Sequence, residues 1–153
     1  MKVSELLDEK IMKLNLEATT KNEVIDELID ELLKADVISD REDFKKDILA
    51  RESLSTTGIG LGIAIPHAKS KAVRYPRVAF GVSKSGIDFK SIDGSNAKLF
   101  FMIAVNEGEN DLHLKALANL SRLLMSQEFR DKLMNTEVAA DILKIVKENE
   151  PQE

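Results

Sequence analysis

Lys98-Leu99-Phe100-Phe101-Met102-Ile103-Ala104-Val105 is the most uniformly apolar stretch of the chain. A strand with one wet face alternates polar and apolar residues; this one does not, so both of its faces must be covered. The run from Leu99 to Val105 is also far short of the roughly 20 residues a membrane helix needs. It reads as the central strand of a buried sheet. Upstream, Arg77 to Val82 forms a second strand. Ile63-Ala64-Ile65-Pro66 forms a short third one that ends at His67, with Pro66 enforcing an extended neighbour. Downstream, Asn110 caps a helix whose apolar stripe is Leu112, Ala116, Leu117, Leu120, Leu123 and Leu124. Two shorter helices follow, near Gln127 to Met134 and Glu137 to Lys147.

The N-terminal third carries the opposite set of helices. Residues Ile11 to Leu16 alternate as a half-buried strand would, and Thr20 with Glu23 three residues on makes a capping box. The helix that follows turns Val24, Ile25, Leu28, Ile29, Leu32 and Leu33 to one side and ends about Ala35. Asp40 caps a second helix that points Phe44, Ile48 and Leu49 inward and ends near Glu52. Helices therefore flank the strands at both ends of the chain. The expected fold is α/β, a three-layer α/β/α sandwich with a central mixed β-sheet. A length of 153 residues suits one domain, 1–153.

Composition removes several kinds of chemistry. Without cysteine there is no thiolate nucleophile, disulfide framework or cysteine-held zinc or iron–sulfur cluster. A formal charge of −5 with one Tyr, no Trp and no basic block argues against nucleic acid. The N-terminus lacks a signal-peptide core, so a cytoplasmic protein without membrane insertion is expected. The glycines of Gly58-Ile59-Gly60-Leu61-Gly62 fit neither a dinucleotide fingerprint nor a Walker loop, and they lead into a strand instead of a helix. Their plainer use is to bend the backbone or let another segment approach. No HExxH spacing or G-x-S-x-G elbow is present.

Two histidines remain. His67 follows Pro66, so stiff backbone aims its ring, although a surface histidine near a turn is the plainer reading. His113 falls in the first turn of its helix, where free N–H groups and the positive end of the dipole attract anions. Taken alone, it reads more simply as an exposed residue with no task. Arg51 can offer a planar fork to a phosphoryl group, or it pairs with a helix-end carboxylate. Thr56, Thr57 and their amides can donate to an oxyanion. By elimination, the best local reading is a histidine nucleophile attacking phosphorus.

The stretch Arg51-Glu52-Ser53-Leu54-Ser55-Thr56-Thr57-Gly58-Ile59-Gly60-Leu61-Gly62-Ile63-Ala64-Ile65-Pro66-His67-Ala68-Lys69 resembles the phosphorylation-site signature of one enzyme IIA family. These are the fructose/mannitol-type domains of the bacterial phosphoenolpyruvate-dependent sugar phosphotransferase system. The likeness continues through Val78-Ala79-Phe80-Gly81, Leu99 to Ala104 and His113-Leu114-Lys115-Ala116-Leu117. It departs at Ser55-Thr56-Thr57, where many relatives carry Gly-Ser-Thr.

The resemblance implies that His67 accepts a phosphoryl group from the carrier HPr and passes it to a cysteine of a sugar-specific enzyme IIB, which works with the membrane enzyme IIC. His113 and Arg51 would belong to the phosphoryl pocket, with Thr56 and Thr57 beside it. Neither a nucleotide, a cofactor nor a metal is expected. Sugar transport, of fructose above all, is the favoured role. The alternative is a nitrogen-type regulatory enzyme IIA that binds target proteins according to its phosphorylation state.

Overall fold

The computed structural model describes residues 2–109 and 111–151. Its strands are β1 (Leu7–Lys13), β2 (Gly58–Gly60), β3 (Ile63–Ala64), β4 (His67–Ser70), β5 (Arg77–Ile87) and β6 (Ala97–Asn106). Its helices are α1 (Val3–Leu6), α2 (Lys21–Lys34), α3 (Arg41–Leu54), α4 (Leu112–Leu124), α5 (Gln127–Met134) and α6 (Ala139–Asn149).

Strand β6 lies inside the sheet, as its uninterrupted apolar sequence requires. It pairs antiparallel with β5 on one side and parallel with β3 and β4 on the other. The sheet order is β1-β5-β6-β3-β2, with β4 also on β6, so parallel and antiparallel ladders mix. Phe100, Met102 and Ala104 of β6 pack with Val24, Leu28, Phe44 and Ile48 of α2 and α3. Leu99, Phe101, Ile103 and Val105 turn the other way, to Leu120, Leu124, Phe129 and Ile142 of α4, α5 and α6. Each fully buried side chain of this size contributes about 1.5–3 kcal/mol. The tilted Phe80–Phe101 pair, with ring centroids 4.9 Å apart, adds about 0.5–1.5 kcal/mol. The three-layer α/β/α sandwich expected from the sequence is the observed fold.

The boundaries differ where the ladder is irregular. Strand β1 occupies Leu7–Lys13, not Ile11 to Leu16, and its ladder is broken: Leu7 faces Val78 and Met12 faces Phe80, so the four residues between them on β1 oppose the single Ala79 on β5. That bulge, stabilised by the Lys10 N–H donating to Asp8 Oδ1 at 2.9 Å, hides the strand's alternation. Thr20 caps α2 as expected, its hydroxyl accepting from Glu23 N and Glu23 returning the bond. Leu49, expected to point inward, is 37% exposed. The short α1 carries no periodic signal; it is fastened by Ser4, whose amide and hydroxyl both donate to Glu150. Asn110, the expected cap of α4, lies outside the described residues. Asp111 is the observed N-cap, with φ of 58°.

The glycine run makes a hairpin instead of a phosphate loop. Strand β2 folds back antiparallel on β3 through Gly60, Leu61 and Gly62, all with positive φ. Gly60 has a φ of 96°, which L side chains rarely adopt, and a Cβ there would fall 2.6 Å from the Asp93 carboxylate, so glycine is favoured. That carboxylate accepts from Ser95 and from Leu61 N–H, bonds that hold its pKa down to about 2.

Candidate functional site

Strands β3 and β4 are one interrupted strand. Ile63 pairs with Leu99, Ala64 with Phe100, His67 with Ile103 and Ala68 with Ala104, a constant offset of 36 residues on either side of Pro66. Within the break, Pro66 offers its carbonyl to Ile103 N–H at 2.9 Å and has no N–H to leave unpaired. His67 thus begins the second half of the strand, whereas the sequence led us to expect the strand to end there. Among the described residues β4 pairs only with β6, so its outer edge lies open between α3 and α4.

Three sequence-expected residues meet at that edge. A cavity of about 320 Å³ is lined by Arg51 of α3, His67 and Lys69 of β4 and His113 of α4, with Asp47, Ala68 and Leu114 completing its wall. Four of these side chains can carry positive charge or donate hydrogen bonds, against the single carboxylate of Asp47. A wider hollow of about 630 Å³ between α5 and α6 holds carboxylates and amides but no imidazole.

His67 is 9% exposed, far more enclosed than a surface histidine near a turn would be. Its Nδ1 lies 2.9 Å from the Ile65 carbonyl oxygen. A carbonyl can only accept, so Nδ1 carries the proton and Nε2 keeps its lone pair. Burial pushes the ring's pKa below its ordinary value; the Ile65 bond and, more weakly, the Glu52 carboxylate oppose this, and the neighbouring Arg51 and His113 add to it. The neutral ring is therefore favoured, with the lone pair of Nε2 unencumbered.

Arg51 stands in the last turn of α3, where its Nη1 donates to the Ser55 carbonyl at 2.9 Å. The helix-end partner is thus a main-chain oxygen and not the carboxylate considered from sequence. This bond satisfies one orphan carbonyl of the helix terminus and steadies the guanidinium. His113 is the second residue of α4, beside that helix's free amides, and its buried Nδ1 has no hydrogen-bond partner among the described residues.

Thr56 and Thr57 do not line the cavity. Thr56 Oγ1 donates to the Phe89 carbonyl at 3.0 Å and accepts from Gly58 N–H at 3.0 Å. The Thr57 hydroxyl and amide both donate to Glu52. Sequence reasoning missed Asp47 and Glu52. Asp47 is one helical turn before Arg51, so the i,i+4 spacing places both on one face. Glu52 is visible only as part of the signature stretch.

Comparison with known proteins places this arrangement. Residues 5–149 match the model of the family described as phosphoenolpyruvate-dependent sugar phosphotransferase system, EIIA 2. A PTS system fructose-specific EIIABC component of Bacillus subtilis is 49% identical over 98% of this chain, which spans 24% of that longer protein. A PTS system fructose-specific EIIA component of Haloferax volcanii is 41% identical over 88% of each. The crystal structure of nitrogen regulatory protein IIA-Ntr from Neisseria meningitidis superposes with a TM-score of 0.86 at 28% identity, covering 94% of this chain and 98% of that one.

The chain belongs to the EIIA type 2 family of the phosphoenolpyruvate-dependent sugar phosphotransferase system. It is a phosphoryl-transfer component of that system. No helix among the described residues is long and apolar enough to cross a membrane.

Proposed function

We propose that His67 is the phosphoryl carrier of this domain: Nε2 accepts the group from a phosphohistidine of HPr and yields it to a cysteine of a sugar-specific enzyme IIB. The observation that carries the reading is the His67 ring itself, with Nδ1 tied to the Ile65 carbonyl and the ring in a cavity beside Arg51 and His113. Neutral Nε2 attacks phosphorus in line with the leaving nitrogen, and the loose transition state spreads charge over three equatorial oxygens. Arg51, His113 and the free amides of α4 stabilise that charge, and the donor protein completes the site. Thr56 and Thr57 serve from behind, by shaping the loop that ends at β2. A phosphorylated imidazole is already a good leaving group, so the step requires neither nucleotide nor metal.

Fructose is the favoured sugar, since the relatives named for it are 49% and 41% identical, against 32% and 28% for those named as nitrogen regulatory proteins. The Bacillus relative's name joins A, B and C components, which supports enzyme IIB and the membrane enzyme IIC as downstream partners, with the carrier on the cytoplasmic side. The test is incubation with enzyme I, HPr and labelled phosphoenolpyruvate, followed by mapping the label and offering a panel of IIB acceptors. Acid-labile label on His67, discharged by a fructose-type IIB, is the expected result. Label on another residue overturns the reading, and discharge only by a different IIB replaces the sugar.

A further inference from the structure

Glu52 lies next to Arg51 in the last turn of α3, yet it does not point into the cavity. Its side chain is only 6% exposed. A buried carboxylate is costly unless it is paired and hydrogen-bonded, and Glu52 is both. Oε2 meets Lys21 Nζ at 2.9 Å and accepts from Thr57 N–H at 3.1 Å, while Oε1 accepts from the Thr57 hydroxyl. Lys21 reaches this point from the first turn of α2. On the way its ammonium donates to the Phe89 carbonyl at 3.3 Å and to Thr56 Oγ1 at 3.4 Å, and lies 4.5 Å from the centre of the Phe89 ring. One part-buried ion pair thus ties α2, α3, the entry to β2 and the Phe89 segment together.

What the knot holds leads to the nucleophile. Thr57, gripped by Glu52 through amide and hydroxyl, turns its own carbonyl to the Ile65 N–H at 3.0 Å. Ile65 in turn presents its carbonyl to His67 Nδ1 at 2.9 Å. The two bonds flank the same α-carbon, so a shift of the Thr57 carbonyl turns the acceptor that fixes the imidazole.

We propose that Glu52, held by Lys21, is a positioning residue for His67: it anchors Thr57, which sets the Ile65 carbonyl, which selects the ring tautomer with a free Nε2. The idea rests on the carrier role assigned to His67, but the tautomer exists whether or not phosphoryl transfer occurs. The two can therefore fail separately.

The experiment reads the tautomer of the His67 ring by nitrogen-15 NMR at pH 8 in the intact chain, alongside the rate of loading by phospho-HPr. The variants are Glu52→Gln, Lys21→Met, Thr57→Val and Thr57→Ser. In the unaltered protein His67 is expected as the Nδ1–H form. Glu52→Gln and Thr57→Val lower that share and slow loading together, by about 10- to 100-fold, the scale of a displaced reacting group. Thr57→Ser, which keeps the hydroxyl, restores both. Lys21→Met, which removes the charge and keeps an unbranched apolar stem, gives a smaller change in the same direction.

A Glu52→Gln or Thr57→Val protein whose methyl spectrum remains native and whose Nδ1–H share is unchanged overturns the proposal, even if its melting temperature falls. Should both variants unfold, Lys21→Met decides by the same readout: a lowered Nδ1–H share upholds the proposal and a native share overturns it. If the tautomer shifts as expected while no variant, nor the unaltered protein, is ever labelled, the positioning role stands and the carrier role fails.

Discussion

His67 and His113 reach the same cavity from two kinds of backbone. His67 belongs to a strand in continuous register with β6, follows a proline of fixed φ, and has one nitrogen committed to the Ile65 carbonyl. His113 sits in the first turn of a helix whose cap, Asp111, has a positive φ, and its buried Nδ1 has no partner among the described residues. Leaving such an atom unsatisfied costs about 1–3 kcal/mol, a cost relieved when a ligand or partner supplies the bond. The contrast is between a ring whose orientation is set by a main-chain bond within the domain and a ring whose Nδ1 is left without a partner among the described residues. A nucleophile needs the first condition and a stabiliser of transient charge tolerates the second.

The largest effect expected is from His67→Ala, which removes the proposed attacking nitrogen and should abolish labelling from phospho-HPr; residual label at the native rate would falsify the carrier role. Next comes Arg51→Met, which should slow loading about 10²- to 10³-fold, the usual loss of a charged stabiliser. Arg51→Lys should recover only part of this, because an ammonium cannot reproduce the planar fork. His113→Ala should cost about 10- to 10²-fold and still leave label on His67. Single-turnover rates check the ranking. If His113→Ala abolishes labelling as completely as His67→Ala, the proposed division of labour between the rings is wrong.

Proton titration sharpens the same contrast. Burial lowers the folded-state pKa of His67, so between the ordinary value near 6.5 and that lower value the unfolded chain binds a proton that the native ring refuses. Stability supported by the neutral ring is intact above about pH 6.5 and declines as pH falls through this window. His67→Ala should flatten that part of the curve of melting temperature against pH. Loading should also persist somewhat below pH 6.5 before it fails, and an acid limb centred above 6.5 would contradict a buried neutral nucleophile.

Much of this was legible in advance. The both-faced burial of β6 follows from Leu99 to Val105 alone, and the α2 cap follows from Thr20 and Glu23, since both are local rules applied to contiguous residues. Arg51, His67 and His113 were also named from sequence, though the residues by themselves left each with a plainer reading, and the signature raised them above it. What escaped was non-local. The bulge in β1 is set by its register against β5, and the Thr56 and Thr57 hydroxyls are claimed by Phe89 and Glu52 only once α2 and α3 have packed. Periodicity reports which face of an element is apolar. It does not report which buried carboxylate the opposite helix will neutralise, so the roles of Glu52 and Lys21 could not be read from it.

The smallest effect separates the two supports of His67, its fixed φ before the ring and its hydrogen-bonded register after it. Pro66→Ala keeps the carbonyl that Ile103 N–H uses and introduces an N–H within the break between β3 and β4. Since the site accepts an extended residue, the main loss is in the unfolded chain, which regains freedom that proline denied it, at a cost of about 0.4–1 kcal/mol. For a chain of this length that is a fall in melting temperature of about 1–4 °C. The loading rate should stay within about twofold, because the pairs from His67 to Ser70 and the Ile65 bond still fix the ring. A loss of rate on the scale of His113→Ala would instead show that the proline, and not the ladder, presets the nucleophile.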